Sequence, residues 1–267
     1  MFQKIVVGTD GFGRASAAVE RAVALASASG GEVIVVHSYP DPGSPYGLAR
    51  EQGGGVTAAE GVLVTVEKNY AERARLRTVL RRGEPADALL AVSDEEAADL
   101  LVVGNLGMSK RFSLGSVPNQ VSHHAKCDVL IANTEQPSRG SGQGPIVAGV
   151  DGSDTSLQAL AVAARLAALR DVDLVGLYVH WRQEDDTAAS VLDGASSSLS
   201  DSGARFRART ESGDPADLVI RVAEEEGADT IVLGNKGMSG VKRFTLGNVP
   251  NKVSHHAPCD LLIVRTT

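Results

Sequence analysis

Aromatic residues are scarce in this chain: Phe, Tyr and Trp together make up 4% of 267 residues, with a single Trp. None cluster in sequence, so a base-stacking platform or an aromatic cage would rest on very few side chains. Positive charge is also short. Lys and Arg number 26 against 33 Asp and Glu, a net charge of −7, which argues against general affinity for nucleic acid or an anionic membrane surface. Any phosphate bound here is expected to be held locally. Long hydrophobic runs are missing, and the opening Met1-Phe2-Gln3-Lys4-Ile5-Val6-Val7-Gly8 is too short for a signal peptide, so the expected location is the cytoplasm. Only two cysteines occur, Cys127 and Cys259. Each reads as a small buried hydrophobe in a reducing compartment rather than half of a disulfide.

What is present is a duplication. Ile5-Val6-Val7-Gly8-Thr9-Asp10-Gly11 recurs as Ile146-Val147-Ala148-Gly149-Val150-Asp151-Gly152. Gly83-Glu84-Pro85-Ala86-Asp87 recurs as Gly213-Asp214-Pro215-Ala216-Asp217, and Val103-Gly104-Asn105 as Leu233-Gly234-Asn235. Val121-Ser122-His123-His124-Ala125 is matched by Val253-Ser254-His255-His256-Ala257. The copies are read as domains at residues 1–134 and 145–267, joined by a Gly- and Ser-rich flexible linker at 135–144. The first copy is eleven residues longer between its opening strand and Gly83, and the surplus falls in the turn-rich stretch from Pro40 to Gly55, a candidate lid.

Within each copy short β-branched runs alternate with helical patterns, the mark of successive βαβ units. Strands are expected near 3–8, 32–37, 76–81, 99–104 and 128–132, then 145–150, 172–179, 205–210, 229–234 and 260–265. Ala15 to Ala28 and Ser156 to Leu169 have helical spacing, and Pro85 and Pro215 stand where proline best opens a helix. The fold class is α/β: two tandem, doubly wound, five-stranded parallel sheets with helices on both faces. Fold analogy suggests the strand order 3-2-1-4-5 in each, with a ligand crevice between the first and fourth strands.

Both repeated glycine segments end at that crevice. The second copy reads Gly234-Asn235-Lys236-Gly237, nine residues, then Gly247-Asn248-Val249-Pro250 opening a helix. Glycines let the main chain approach an anion, successive N–H groups form a donor surface, and the helix N-terminus adds the positive end of its dipole. The first copy reads Gly104-Asn105-Leu106-Gly107, seven residues, then Gly115-Ser116-Val117-Pro118. Its loop is two residues shorter. Lys110-Arg111 and Lys242-Arg243 lie inside the loops and serve either a phosphate or solvent. The aspartates after the first strands, Asp10 and Asp151, could instead only cap the helices that follow.

Other motifs carry less. His123-His124 and His255-His256, each with a cysteine three residues on, invite a zinc reading, but neighbouring helical residues point apart and four ligands are not supplied within a copy. One histidine packing inward and one facing solvent is the better account, and no metal site is expected. Gly8 to Ala15 is a near miss to a P-loop without its Lys and Ser/Thr. No Ser-His-Asp or paired-carboxylate arrangement repeats, so no catalytic centre is expected, although slow ATP hydrolysis stays open.

The opening strand ending in Asp-Gly, the Gly-x2-Gly-x9-Gly-Ser/Asn loop and the His-His-Ala-x-Cys-Asp block before the last strand resemble the universal stress proteins in their tandem, two-domain form. That resemblance covers nearly the whole chain and implies a Rossmann-like fold binding ATP, with or without Mg²⁺, or a related adenine nucleotide, in a regulatory protein of the stress response. It implies a nucleotide site at Thr9, Asp10, Gly11, Ser38, Gly104, Gly107, Gly115, Ser116 and Val117 in the first copy. In the second it implies Val150, Asp151, Gly152, Val179, Gly234, Gly237, Gly247, Asn248 and Val249. The aspartates would lie near ribose and adenine, Ser38 and Val179 would meet adenine through the backbone, and the glycines would wrap the phosphates. Phe12 stands where the second copy has Ser153, a better helix cap, so the second site is expected to be the tighter. Duplication suggests an internal pseudo-dimer, with a homodimer also open. The competing reading is a nucleotide-free interaction protein of the same fold.

Overall fold

In a computed structural model the described residues are 1–11, 15–39, 55–105, 114–135, 142–180, 187–236 and 246–266. They fall into two compact units, each built mainly on one copy of the repeat. The Pro40 to Gly55 stretch read as a lid lies outside the described residues apart from Gly55, as do the loop residues Gly107 and Gly237.

The first unit runs β1 (Lys4–Gly8), α1 (Ala15–Ser29), β2 (Glu32–Tyr39), α2 (Gly55–Tyr70), β3 (Arg75–Arg82), α3 (Pro85–Glu95), β4 (Leu100–Gly104), α4 (Ser116–His124) and β5 (Asp128–Ala132). Its strands lie in the order β3-β2-β1-β4-β5, all paired in parallel. The second unit runs β6 (Ile146–Val150), α5 (Asp154–Arg170), β7 (Asp173–His180), α6 (Thr187–Ser198), β8 (Arg205–Ser212), α7 (Pro215–Glu225), β9 (Thr230–Gly234), α8 (Asn248–His256) and β10 (Asp260–Val264). Its order, β8-β7-β6-β9-β10, repeats the first, again all parallel. The expected strand order therefore holds in both units.

The central strands are apolar throughout because helices cover both faces of a doubly wound sheet. Ile5, Val6 and Val7 are completely buried, as are Leu100, Leu101 and Val102. Right-handed crossovers place the helix pair α1 and α2 on one face and α3 and α4 on the other. Accordingly α1 packs on β1 and β4, α2 on β2 and β3, and α3 against α4. The outer strands β3 and β8 instead carry arginines that pair with acids, Arg77 with Glu32 and Glu96, and Arg209 with Glu211, Glu225 and Glu226. Charge along such an edge discourages pairing with another chain's strand.

The linker reading needs a correction at its end. The N–H groups of Gln143 and Gly144 both donate to Asp229 Oδ2, at 2.8 and 2.7 Å, so this part of the linker is fixed to the second unit. The first unit uses the same device, with Asp99 accepting from Gln3 N–H at 2.7 Å and Lys4 N–H at 3.2 Å. In both, a carboxylate at the foot of the fourth strand fixes where the first strand begins. Among the described residues no helix is long and apolar enough to cross a membrane.

Candidate functional site

Each unit turns sharply after its first strand. Gly11 and Gly152 adopt φ of +80° and +82°, the left-handed region that only glycine enters cheaply. A β-carbon would in addition lie 2.5 Å from Val62 Cγ2 at Gly11 and 3.0 Å from Val191 Cγ2 at Gly152. In the first unit Thr9 N–H donates to the Val36 carbonyl at 3.0 Å, its hydroxyl accepts from Gly11 N–H at 3.2 Å, and its carbonyl lies 2.7 Å from His37 Nδ1. In the second, the Asp151 carboxylate accepts from both the N–H and the hydroxyl of Ser153, at 3.0 and 2.5 Å. Ser153 in turn caps α5 by accepting from Ser156 N–H. Capping thus falls to Ser153, while Asp151 holds the turn beneath the helix start. The matching Phe12 lies outside the described residues.

The fourth strand lies beside the first in each unit, with Val7 facing Val102 and Ala148 facing Val232. Continuing that register brings Thr9 next to Gly104, and Val150 next to Gly234. A β-carbon on Gly234 would sit 3.2 Å from the Lys236 carbonyl and 3.3 Å from that of Thr155, and one on Gly104 would sit 3.0 Å from Thr134 Cγ2. At Gly234 glycine answers to a close approach of backbone, its own loop on one side and the start of α5 on the other, whereas at Gly104 the neighbour is a side chain.

The neck of each glycine loop is made by a residue not counted among the site candidates. Asn105 donates its N–H to the Ala132 carbonyl and accepts the N–H of Gly115 on its own carbonyl, both at 2.9 Å. Its side-chain oxygen accepts from the N–H and hydroxyl of Thr134, at 3.0 and 2.8 Å. Asn235 repeats every bond, to Val264, to Gly247, and to the N–H and hydroxyl of Thr266. One asparagine therefore ties the loop's beginning, its end and the exit of the fifth strand. Its sequence signal is the Gly-Asn pair that occurs in both copies.

With the neck closed, α4 and α8 start at Gly115 and Gly247 without any side-chain cap. Pro118 and Pro250 bring no N–H to the first turn, and the N–H groups of Asn119 and Asn251 return to the Gly115 and Gly247 carbonyls. The first-turn donors open to an anion are thus Ser116 and Val117 in one unit, Asn248 and Val249 in the other. Ser116 and Asn248 are exposed, Val117 and Val249 half-buried. Ser38 and Val179 sit half-buried near the ends of β2 and β7, each one strand away from the loop.

A cavity of about 410 Å³ opens in the first unit beside Thr9 and Gly11, yet it runs between α1 and α2 past Val19 and Val66 to Tyr70, not into the expected crevice. Tyr178 and His180 are stacked on either side of Val179, 6.4 Å between centroids, an aromatic pair that arises because alternate strand residues share a face. His123 and His255 are half-buried while His124 and His256 are exposed, as expected of adjacent helical residues. No group of three or more potential metal ligands occurs among the described residues. Cys259 is buried as expected, but Cys127 is only half-buried.

Comparison with known proteins agrees with this architecture. A structure of a universal stress protein from Archaeoglobus fulgidus superposes with a TM-score of 0.78 over 98% of both chains at 19% identity, a likeness of fold. A universal stress protein of Mycolicibacterium smegmatis is 26% identical over 98% of this chain and 96% of its own. A shorter one from Mycobacterium tuberculosis is 37% identical over 50% of this chain and 97% of its own. The family model described as the universal stress protein family matches twice, at residues 1–133 and 144–265, so the chain belongs to the universal stress protein family in its tandem form.

Proposed function

We propose that the protein binds ATP or a related adenine nucleotide in the crevice beside Gly234 to Asn248, and that occupancy regulates its contacts instead of driving rapid turnover. The observation that carries this reading is the closed neck at Asn235. It leaves the first-turn N–H groups of Asn248 and Val249 uncapped, while Gly234 lets the exit of β9 pass close to the Thr155 carbonyl at the start of α5. Those donors suit a phosphate, and Asp151 across the crevice suits a sugar hydroxyl. Mg²⁺ would arrive with the nucleotide, as it does for ATP in solution. Among the described residues the site carries no repeated catalytic constellation, which is the reason to favour regulation over hydrolysis. A cytoplasmic protein of the stress response fits such a role.

The second unit is the tighter site in this reading, because its turn is braced by Asp151, Ser153 and Ser156 while the first copy has Phe12 and Ala15 at the positions of Ser153 and Ser156. Calorimetry with ATP, ADP and cyclic AMP on protein stripped of co-purified nucleotide tests both statements. Two classes of site are expected, the tighter one abolished by Gly247→Val. No binding by any of the three nucleotides would leave the nucleotide-free interaction protein as the better reading, and two equal sites would refute the asymmetry.

A further inference from the structure

Three oxygen contacts run in series from the β6 turn to the exit of β9. Asp151 Oδ1 lies 2.5 Å from Ser153 Oγ, Ser153 Oγ lies 2.9 Å from Thr155 Oγ1, and Thr155 Oγ1 lies 3.2 Å from the Lys236 carbonyl. The two ends of this chain, a carboxylate and a carbonyl, only accept. Two hydroxyls therefore supply two protons to three contacts. The shortest and charge-assisted contact takes the Ser153 proton to Asp151. The single Thr155 proton is then shared between Ser153 Oγ and the Lys236 carbonyl, and the bond that crosses the crevice is correspondingly long.

We propose that Thr155 is a positioning residue that couples the two ends of the crevice through this proton shortage. The proposal rests on the reading that a nucleotide occupies the second unit with its sugar at Asp151. When a ligand hydroxyl donates to the Asp151 carboxylate, the demand on Ser153 is relieved. Ser153 can then turn its proton to Thr155 Oγ1, which commits the Thr155 proton to the Lys236 carbonyl. No covalent bond is made or broken, since two hydroxyl rotors simply turn. The result is a tighter tie between the β6 turn and the start of the glycine loop, at the moment a sugar is in place. Residues matching Ser153 and Thr155 in the first copy are Phe12 and Arg14, neither of which carries a hydroxyl, so the coupling belongs to the second unit alone.

The test splits the nucleotide into its parts. Adenosine and inorganic tripolyphosphate are titrated into the full chain singly and together, for the wild type, Thr155→Val and Thr155→Ser. Saturating adenosine is expected to tighten tripolyphosphate binding about fivefold in the wild type, the low end of typical coupling between sites. Thr155→Val is expected to bind each part within about twofold of the wild type while losing that coupling, and Thr155→Ser to restore it. Coupling that survives in Thr155→Val, or equal loss of both parts, overturns the proposal. Hydrogen exchange without ligand separates this from failure of the nucleotide reading. The peptide from Gly234 to Gly247 should exchange faster in Thr155→Val and return to wild-type behaviour in Thr155→Ser, and unchanged exchange would remove the tie whether or not nucleotide binds.

Discussion

The side-chain oxygen of Asn235 accepts both the N–H and the hydroxyl of Thr266, at 3.2 and 2.8 Å, while its main-chain carbonyl accepts the N–H of Gly247 at 2.9 Å. The N–H can only donate, so the amide orientation is fixed, and Asn235 Nδ2 is left buried without a hydrogen-bond partner among the described residues. Removing the side chain strands two donors on the half-buried Thr266, and at the same time removes the unpartnered Nδ2.

Asn235→Ala is therefore expected to cost about 1 kcal/mol, the low end of the range for leaving polar groups unsatisfied. Asn105 makes the same two bonds to Thr134, which is buried where Thr266 is half-buried, so water reaches its stranded donors less readily and Asn105→Ala should cost about twice as much. Urea unfolding of the two variants checks the order. Equal effects would show that burial of the neck does not set its contribution.

The two turn glycines offer a matched comparison. Both lie at φ near +80°, where an alanine costs about 1–2 kcal/mol from backbone strain alone. At Gly11 the new β-carbon would also meet Val62 Cγ2 at 2.5 Å, against 3.0 Å for Val191 at Gly152. Val62 is β-branched and sits within α2, so it has little rotamer freedom to yield. Gly11→Ala should lower the melting temperature more than Gly152→Ala, and the reverse order would mean that α2 moves aside more readily than α6.

The order of elements was legible because periodicity and turn residues repeat twice, so that each unit served as a check on the other. β2, β3, β7 and β8 run one or two residues further than the pattern indicated, since their exits end in polar and aromatic residues such as Ser38, Tyr39 and His180 that dilute the apolar signal. The glycines and aspartates at the strand exits were also legible, because a left-handed turn or a close approach leaves a residue-type signature. Asn105 and Asn235 were not read as part of the site, because asparagine after a strand normally signals a turn. Their function lies in bonds to Thr134 and Thr266, about thirty residues away in sequence, which no local pattern announces. Likewise the Tyr178–His180 pair forms from residues two apart on one face, a relation that a count of aromatics cannot show.

The starts of α3 and α7 differ by one residue and predict a pH-dependent difference. Asp214 caps α7 by accepting from the N–H groups of Ala216 and Asp217, each at 3.1 Å, whereas Glu84 makes no side-chain bond to α3. The Asp217 N–H, then the Lys252 ammonium at 3.2 Å and the Ala216 N–H, hold the Asp214 carboxyl below its usual value. A depressed carboxyl contributes stability that is present above its unfolded pKa, about 3.9, and is lost as pH falls through the lower folded value. Asp214→Ala should cost about 1 kcal/mol at pH 7, and its deficit relative to the wild type should shrink below about pH 4. Glu84→Ala should cost only a few tenths of that, since no cap is lost. A deficit that persists unchanged at pH 3 would show that packing, not the charged cap, is the contribution of Asp214.

Cys127 carries the clearest chemical expectation, because it is half-exposed and yet protected. Burial, followed by the neighbouring Asp128 carboxylate, pushes its thiol up to about 12. Since only the thiolate attacks, the reactive fraction at pH 8 is about one part in ten thousand, against roughly a quarter for an ordinary thiol. A disulfide reagent at pH 8 should modify folded protein at least about a hundredfold more slowly than the same chain in urea, where both Cys127 and the buried Cys259 become ordinary thiols. Asp128→Asn removes the second cause but not the first, so it should raise the rate by less than about tenfold. A fast phase equivalent to one thiol in the folded wild type would mean that Cys127 is open to solvent and ionised, and that the matching places of the two cysteines conceal a reactive one.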